Sequence, residues 1–197
     1  MAQRANIILN LENSNGNKVT RIYYTAWGIG KVMPMAIMEF ISNLSNASNV
    51  RATELKLNTF NSAFIEDISL AFDEDGKYDD INFDDCKTPQ GVKQLIEKYS
   101  DNNNGAIVLN VIEKRANYDY EYDFEIGFLI GHEDEDYVFN DKEYNVGNPK
   151  AFERWVTYEE WYKIVVEEYS RTTKNNGVDF KDLFLNFLKF FDVEVLK

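Results

Sequence analysis

Apolar and polar positions along the chain predict an opening hairpin followed by a buried helix. Residues 6–11 and 18–27 are rich in strand-favouring residues, and the Asn-Gly pair at 15–16 between them is typical of a tight hairpin turn. Pro34 suits the first turn of a helix, because its missing N–H would have no partner there. Since nearly every position from Val32 to Ile41 is apolar, we expect this core helix to be covered on most faces.

The rest of the chain predicts further strands and three more helices. Strand-like patterns occupy residues 50–60, 65–72, 77–83, 106–112, 118–126, 137–139 and 143–146. Helical patterns cover a mid-chain segment and two C-terminal segments, each preceded by a capping residue: Thr88, Thr157 and Asp179. Hairpins combined with four helices predict a single α+β domain over residues 1–197 with a mainly antiparallel sheet.

The segment Tyr118–Ile126 alternates apolar and acidic residues without error. In a strand this pattern places Asp119, Glu121, Asp123 and Glu125 on one face, and we call these four residues the acidic row. Same-face residues lie about 6.6–6.8 Å apart, which resembles the through-space separation of neighbouring phosphates on a DNA strand. The pattern predicts either a carboxylate face that fits a nucleic-acid groove of another protein, or an ordinary solvated face.

The net charge limits the class of molecule that the protein can bind. Lysine and arginine number 21 and aspartate and glutamate 34, so the formal net charge is −13. This charge argues against direct binding to nucleic acids or anionic membranes, because both require positive charge on the protein. We predict a partner protein with a basic surface, or self-association. A second acidic block adds to the acidic row: Glu133, Asp134, Glu135 and Asp136.

The cysteine count, the N-terminal residues, the apolar runs and the asparagine content predict the protein's cellular compartment and origin. The single cysteine, Cys86, has no internal disulfide partner, and the first ten residues lack the apolar core of a signal peptide. No run reaches the roughly 20 apolar residues of a membrane span. We therefore predict a cytoplasmic protein. Its frequent asparagines are typical of AT-rich genomes, which suggests a bacterial, phage or mobile-element origin.

Two short motifs resemble ligand sites, but each lacks essential residues. Gly28, Gly30 and Lys31 form a turn that could hold an anion, yet the glycine and the Ser or Thr of a phosphate loop are missing. Asp73, Asp75 and Asp79 have calcium-loop spacing, yet the first and twelfth positions carry no carboxylate. We predict ordinary turns at both places and no cofactor.

Three functional hypotheses remain from the sequence. The first is an acidic binding protein, of the nucleic-acid-mimic or inhibitor type, that uses the acidic row. The second is an assembly protein that associates through its apolar helices, since the last helix carries a stripe at residues 180, 183, 184, 187, 188 and 191. The third is an enzyme that uses carboxylate pairs or the glycine turn. His132 is the only histidine and Cys86 the only cysteine, so a zinc site of several histidines and cysteines is excluded, and any Ser-His-Asp triad would have to use His132.

Overall fold

The computed structural model describes eleven segments of the chain. They are residues 5–16, 18–25, 32–45, 68–70, 85–99, 105–116, 119–131, 137–139, 142–144, 152–163 and 180–197. The strands are β1 (Ala5–Glu12), β2 (Lys18–Thr25), β3 (Ile68–Leu70), β4 (Gly105–Ala116), β5 (Asp119–Ile130), β6 (Tyr137–Phe139), β7 (Lys142–Tyr144) and β8 (Glu194–Val195). The helices are α1 (Val32–Ser45), α2 (Pro89–Tyr99), α3 (Tyr158–Trp161) and α4 (Phe180–Phe190), with a 3-10 turn at Asp85–Lys87.

The main sheet is mixed, so the prediction of a mainly antiparallel sheet is wrong. Its order is β3-β2-β1-β4-β5-β8, and the pairs β1–β4 and β5–β8 are parallel. The other three pairs are antiparallel. A parallel pair needs a long crossover, and the chain between β1 and β4 provides one that includes α1 and α2. Strands β6 and β7 form the small separate hairpin that the sequence predicts.

Both faces of the central strands are buried, because helices pack on each side of the sheet. The α1 face carries Leu9, Leu109 and Ile126, which belong to the same apolar cluster as residues of α1, α3 and α4. The opposite face, the α2 face, carries Ile8 and Val108, which cluster with residues of α2. Burial on both faces explains the almost uninterrupted apolar run of β4.

Local turn and cap predictions are confirmed where the structure describes them. Gly16 has a φ of 78°, as the predicted hairpin turn requires of its glycine. The hydroxyl of Thr88 accepts a hydrogen bond from the backbone N–H of Gly91 at 3.1 Å. Thr157 caps α3 in the same way through Glu160, also at 3.1 Å. These interactions are short-range, which is why the sequence alone predicts them.

The two apolar helices differ in how far they are covered. Helix α1 is confirmed as a core helix, since all but one of its apolar residues with described side chains are buried or partly buried. The exception is Met35, which is exposed. In α4 only Phe180, Phe184 and Leu188 are buried, a stripe of i, i+4 and i+8 spacing. Leu183 lies on the apolar stripe that the sequence predicts, but its side chain is 44% exposed.

Several predicted elements lie partly or wholly outside the described residues. They are the strands at 50–60 and 77–83, most of 65–72, the later part of the helix after Thr157, and the cap Asp179. Strand β8 is described but follows no pattern that the sequence reveals, because it contains only two residues. Among the described helices, none is both long and apolar enough to cross a membrane.

Candidate functional site

Strand β5 separates carboxylates from apolar side chains, as the alternating pattern predicts. Glu121 and Asp123 are exposed and Glu125 is half-buried, whereas Phe124 and Ile126 on the other face are buried in the core. Asp119 lies in the strand, but its side chain is outside the described set. Glu121, Asp123 and Glu125 therefore lie on the α2 face of the sheet, and the pairing of β5 with β4 holds their backbone.

The acidic row is crossed by a lysine from the neighbouring strand. Lys114 lies opposite Glu121 in the antiparallel β4–β5 register and forms an ion pair with Asp123. The side chains of Lys114 and Asp123 are 57% and 49% exposed, so the pair is well hydrated and contributes little to stability. One of the four negative charges of the row is thus compensated locally, which the sequence pattern of β5 by itself does not reveal.

Glu125 differs from the other members of the row because it is bound to the sheet interior. Its Oε2 accepts a hydrogen bond from Nδ2 of Asn110 at 3.0 Å. The Oδ1 of Asn110 in turn accepts from Nδ2 of Asn10 at 2.7 Å, and Oδ1 of Asn10 accepts from the hydroxyl of Thr20 at 2.8 Å. We call these four residues on β2, β1, β4 and β5 the polar ladder.

A further carboxylate extends the acidic surface onto the last strand. Glu194 of β8 is the register partner of Glu125 in a parallel pairing and is exposed. The next residue, Val195, packs against the α1-face cluster, so Glu194 points to the α2 face beside Glu125. No local sequence pattern marks Glu194, because its position beside Glu125 depends on a pairing between residues far apart in the chain.

The charged side chains on the described part of the α2 face are mainly acidic. Five carboxylates and two lysines are at least partly exposed there: Glu12, Glu121, Asp123, Glu125, Glu194, Lys18 and Lys114. Lys18 pairs with Glu12 at 3.9 Å. Counting one charge each, these seven strand side chains sum to −3.

Another carboxylate, Glu113, is buried on the opposite face and serves the hairpin turn. Its Oε1 accepts hydrogen bonds from the backbone N–H and the hydroxyl of Ser14 at 3.1 and 2.9 Å. These bonds attach the β1–β2 turn to β4. Glu113 therefore has a structural role, and it is not part of the acidic row.

The other predicted site residues lie outside the described residues. These are the acidic block Glu133, Asp134, Glu135 and Asp136, the turn residues Gly28, Gly30 and Lys31, and the loop residues Asp73, Asp75 and Asp79. Within the segments that the structure describes, no three His, Cys, Asp or Glu side chains are grouped so that they could hold a metal ion. Comparison of the chain with protein-family models, curated proteins and solved structures finds no match.

Proposed function

We propose that this protein binds a basic surface of another protein through the acidic row of β5, and that a nucleic-acid-binding groove is the surface it fits best. The observation that carries the proposal is the exposure of Glu121 and Asp123 on a strand whose other face is buried in the core. Burial of the apolar face holds the backbone, so the carboxylates keep the regular spacing of a strand. The net charge of −13 adds long-range attraction to a basic partner.

Neighbouring residues support the proposal by making part of the row rigid. Asn110 orients the carboxylate of Glu125 by donating a hydrogen bond to it. Groups that are oriented before binding lose less entropy when a partner binds. Glu194 places one more carboxylate beside the row, so the acidic surface spans two strands.

Neutralising the acidic row is expected to remove this binding. The variant Asp119→Asn, Glu121→Gln, Asp123→Asn and Glu125→Gln keeps the size of each side chain and changes the net charge from −13 to −9. If each ion pair with the partner contributes about 0.2–1 kcal/mol, loss of all four weakens binding by about 0.8–4 kcal/mol, which is roughly fourfold to a thousandfold. The measurement is capture of nucleic-acid-binding proteins from a bacterial extract at low salt, followed by elution with duplex DNA.

A matched variant separates the row from total charge. Glu153→Gln, Glu159→Gln, Asp182→Asn and Asp192→Asn remove two glutamates and two aspartates from exposed positions outside the row. This variant also has a net charge of −9, and it should still capture proteins that duplex DNA releases. Equal capture by the wild type and the row variant would contradict the proposal. The acidic row would then serve only to prevent pairing with strands of other chains or to keep the protein soluble, and neither role requires a partner.

A second candidate function is self-association through α4, and it rests on one observation. The side chain of Phe190 is 81% exposed and Leu183 is 44% exposed. With the half-buried Phe187 between them they form an apolar stripe of i, i+4 and i+7 spacing. Such a stripe fits the same helix of a second copy, which would bury the Phe190 ring.

If this stripe forms a dimer, Phe190→Asp should weaken it. A buried aromatic hot spot is worth about 2 kcal/mol or more, so the dissociation constant should rise roughly 30-fold or more. Sedimentation velocity over a wide range of protein concentrations measures this change. Lys189→Gln is the matched control, because it makes the same charge change at an exposed position beside the stripe. A wild-type protein that stays monomeric at every concentration would exclude this function.

A further inference from the structure

The polar ladder crosses the sheet at right angles to its strands. Thr20, Asn10, Asn110 and Glu125 lie on four neighbouring strands, and consecutive members are register partners in the sheet. Asn10 and Asn110 have no exposed surface, and Thr20 is buried as well. Burial of a polar side chain costs free energy unless it is hydrogen-bonded. Each of these buried residues therefore depends on its neighbours in the ladder for hydrogen bonds.

All hydrogen bonds of the ladder run in the same direction. The Thr20 hydroxyl donates to Asn10, the Asn10 amide donates to Asn110, and the Asn110 amide donates to the Glu125 carboxylate. An ionised carboxylate only accepts, so it determines which way the two amides point. Aligned hydrogen bonds also polarise and strengthen one another. The ladder is therefore one connected unit that ends at a charged group.

The apolar residues of β1 and β4 do not by themselves define how these two strands align. Residues 6–11 read Asn-Ile-Ile-Leu-Asn-Leu, and residues 106–111 read Ala-Ile-Val-Leu-Asn-Val. A hydrophobic pattern specifies register when one face is apolar and the other polar. Here both faces are covered by helices, so a shifted pairing would still place apolar side chains against apolar side chains. Within residues 6–11 and 106–111, the buried pair Asn10 and Asn110 distinguishes the observed register from its neighbours.

We infer that the hydrogen bond between Asn10 and Asn110 sets the register of the parallel β1–β4 pair. In the observed register the two amides are directly opposite one another, as are Leu9 and Leu109. A shift of two residues one way would place Asn10 opposite Ile112 and Asn110 opposite Ile8, and the other way would place Asn10 opposite Val108 and Asn110 opposite Glu12. In either case the hydrogen bond between the two buried amides is lost, and Asn10 faces an apolar side chain. A single buried asparagine selects the register of coiled coils in the same way.

The inference is tested with Asn10→Leu, Asn110→Leu and the double variant of the full chain. Urea unfolding measures stability, and amide NMR signals of β1 and β4 with their cross-strand contacts report the register. Each single variant should lower the urea midpoint, because the remaining amide is buried without its partner. The double variant should fold but show more than one set of β1 and β4 signals. A single set with the native contacts would overturn the inference.

Two further variants make the result specific. Thr20→Val removes the first donor of the ladder but leaves the pair between β1 and β4 intact, so it should keep one register; several registers in this control would overturn the inference. If the leucine pair does not fold, the double variant Asn10→Ala and Asn110→Ala introduces no larger side chain, and the same NMR outcomes apply. If neither double variant folds, the pair is required for stability and not for the choice of register, and the inference fails.

Discussion

Replacement of Phe184 by alanine is expected to lower the free energy of unfolding by about 3–5 kcal/mol. Phe184 has no exposed surface and lies at the centre of an aromatic cluster on the α1 face. Its ring centroid is 4.6 Å from that of Tyr158 and 6.4 Å from that of Phe128. Truncation removes these contacts and leaves a cavity between helix α4 and the sheet, which the surrounding aromatic rings cannot fill completely.

Phe190→Ala, in the same helix, is the matched control. The chemical change is identical, but the Phe190 ring is 81% exposed, so the loss should be less than about 1 kcal/mol. Urea unfolding followed by circular dichroism measures both variants, at a protein concentration where the wild type is monomeric. Similar losses for the two variants would mean that α4 does not pack on the sheet through Phe184.

Addition of one methyl group at Gly127 is expected to destabilise the protein by about 1–3 kcal/mol. Gly127 lies in β5 on the α2 face, two residues after Glu125. A Cβ atom there would lie 2.5 Å from Cζ3 and 2.7 Å from Cε3 of the Trp155 ring, and 3.0 Å from Cδ1 of Leu196. These distances are too short for carbon atoms, so the Trp155 ring must move away from the strand.

The cause of this loss can be tested in a background without the ring. In Trp155→Ala, the Gly127→Ala change should cost much less, because only the end of the flexible Leu196 side chain still lies within 3.0 Å of the added methyl group and glycine is itself unfavourable within a strand. Thermal or urea unfolding of the two single variants and the double variant gives the coupling between the sites. A Gly127→Ala loss of equal size in both backgrounds would show that contact with Trp155 is not its cause.

The close packing of the Trp155 ring against Gly127 also affects the acidic row. The Trp155 ring rests directly on the β5 backbone, on the same face as Glu125 and beside Leu196 of the C-terminal segment. This packing closes one end of the row with apolar side chains. The Gly127→Ala variant therefore tests the proposed binding in a second way. It displaces the ring that packs against β5 beside the acidic row, and it leaves every charge in place.

The sequence by itself determined the elements whose cause is local. Alternation of apolar and acidic residues in β5, the glycine of the first hairpin turn and the caps Thr88 and Thr157 each depend on residues a few positions apart. The structure confirms each of them. The apolar run of α1 predicted a core helix for the same reason, since its hydrophobicity exceeds what one face requires.

Only the tertiary structure decided how these elements combine. The parallel direction of β1 and β4 depends on a crossover, which leaves no mark in the apolar pattern of either strand. Lys114 beside Asp123, and Glu194 beside Glu125, are neighbours through strand pairing. The hydrogen bond between Asn10 and Asn110 joins residues 100 positions apart. Periodicity reports which face a residue occupies, whereas its neighbours on that face are set by long-range pairing.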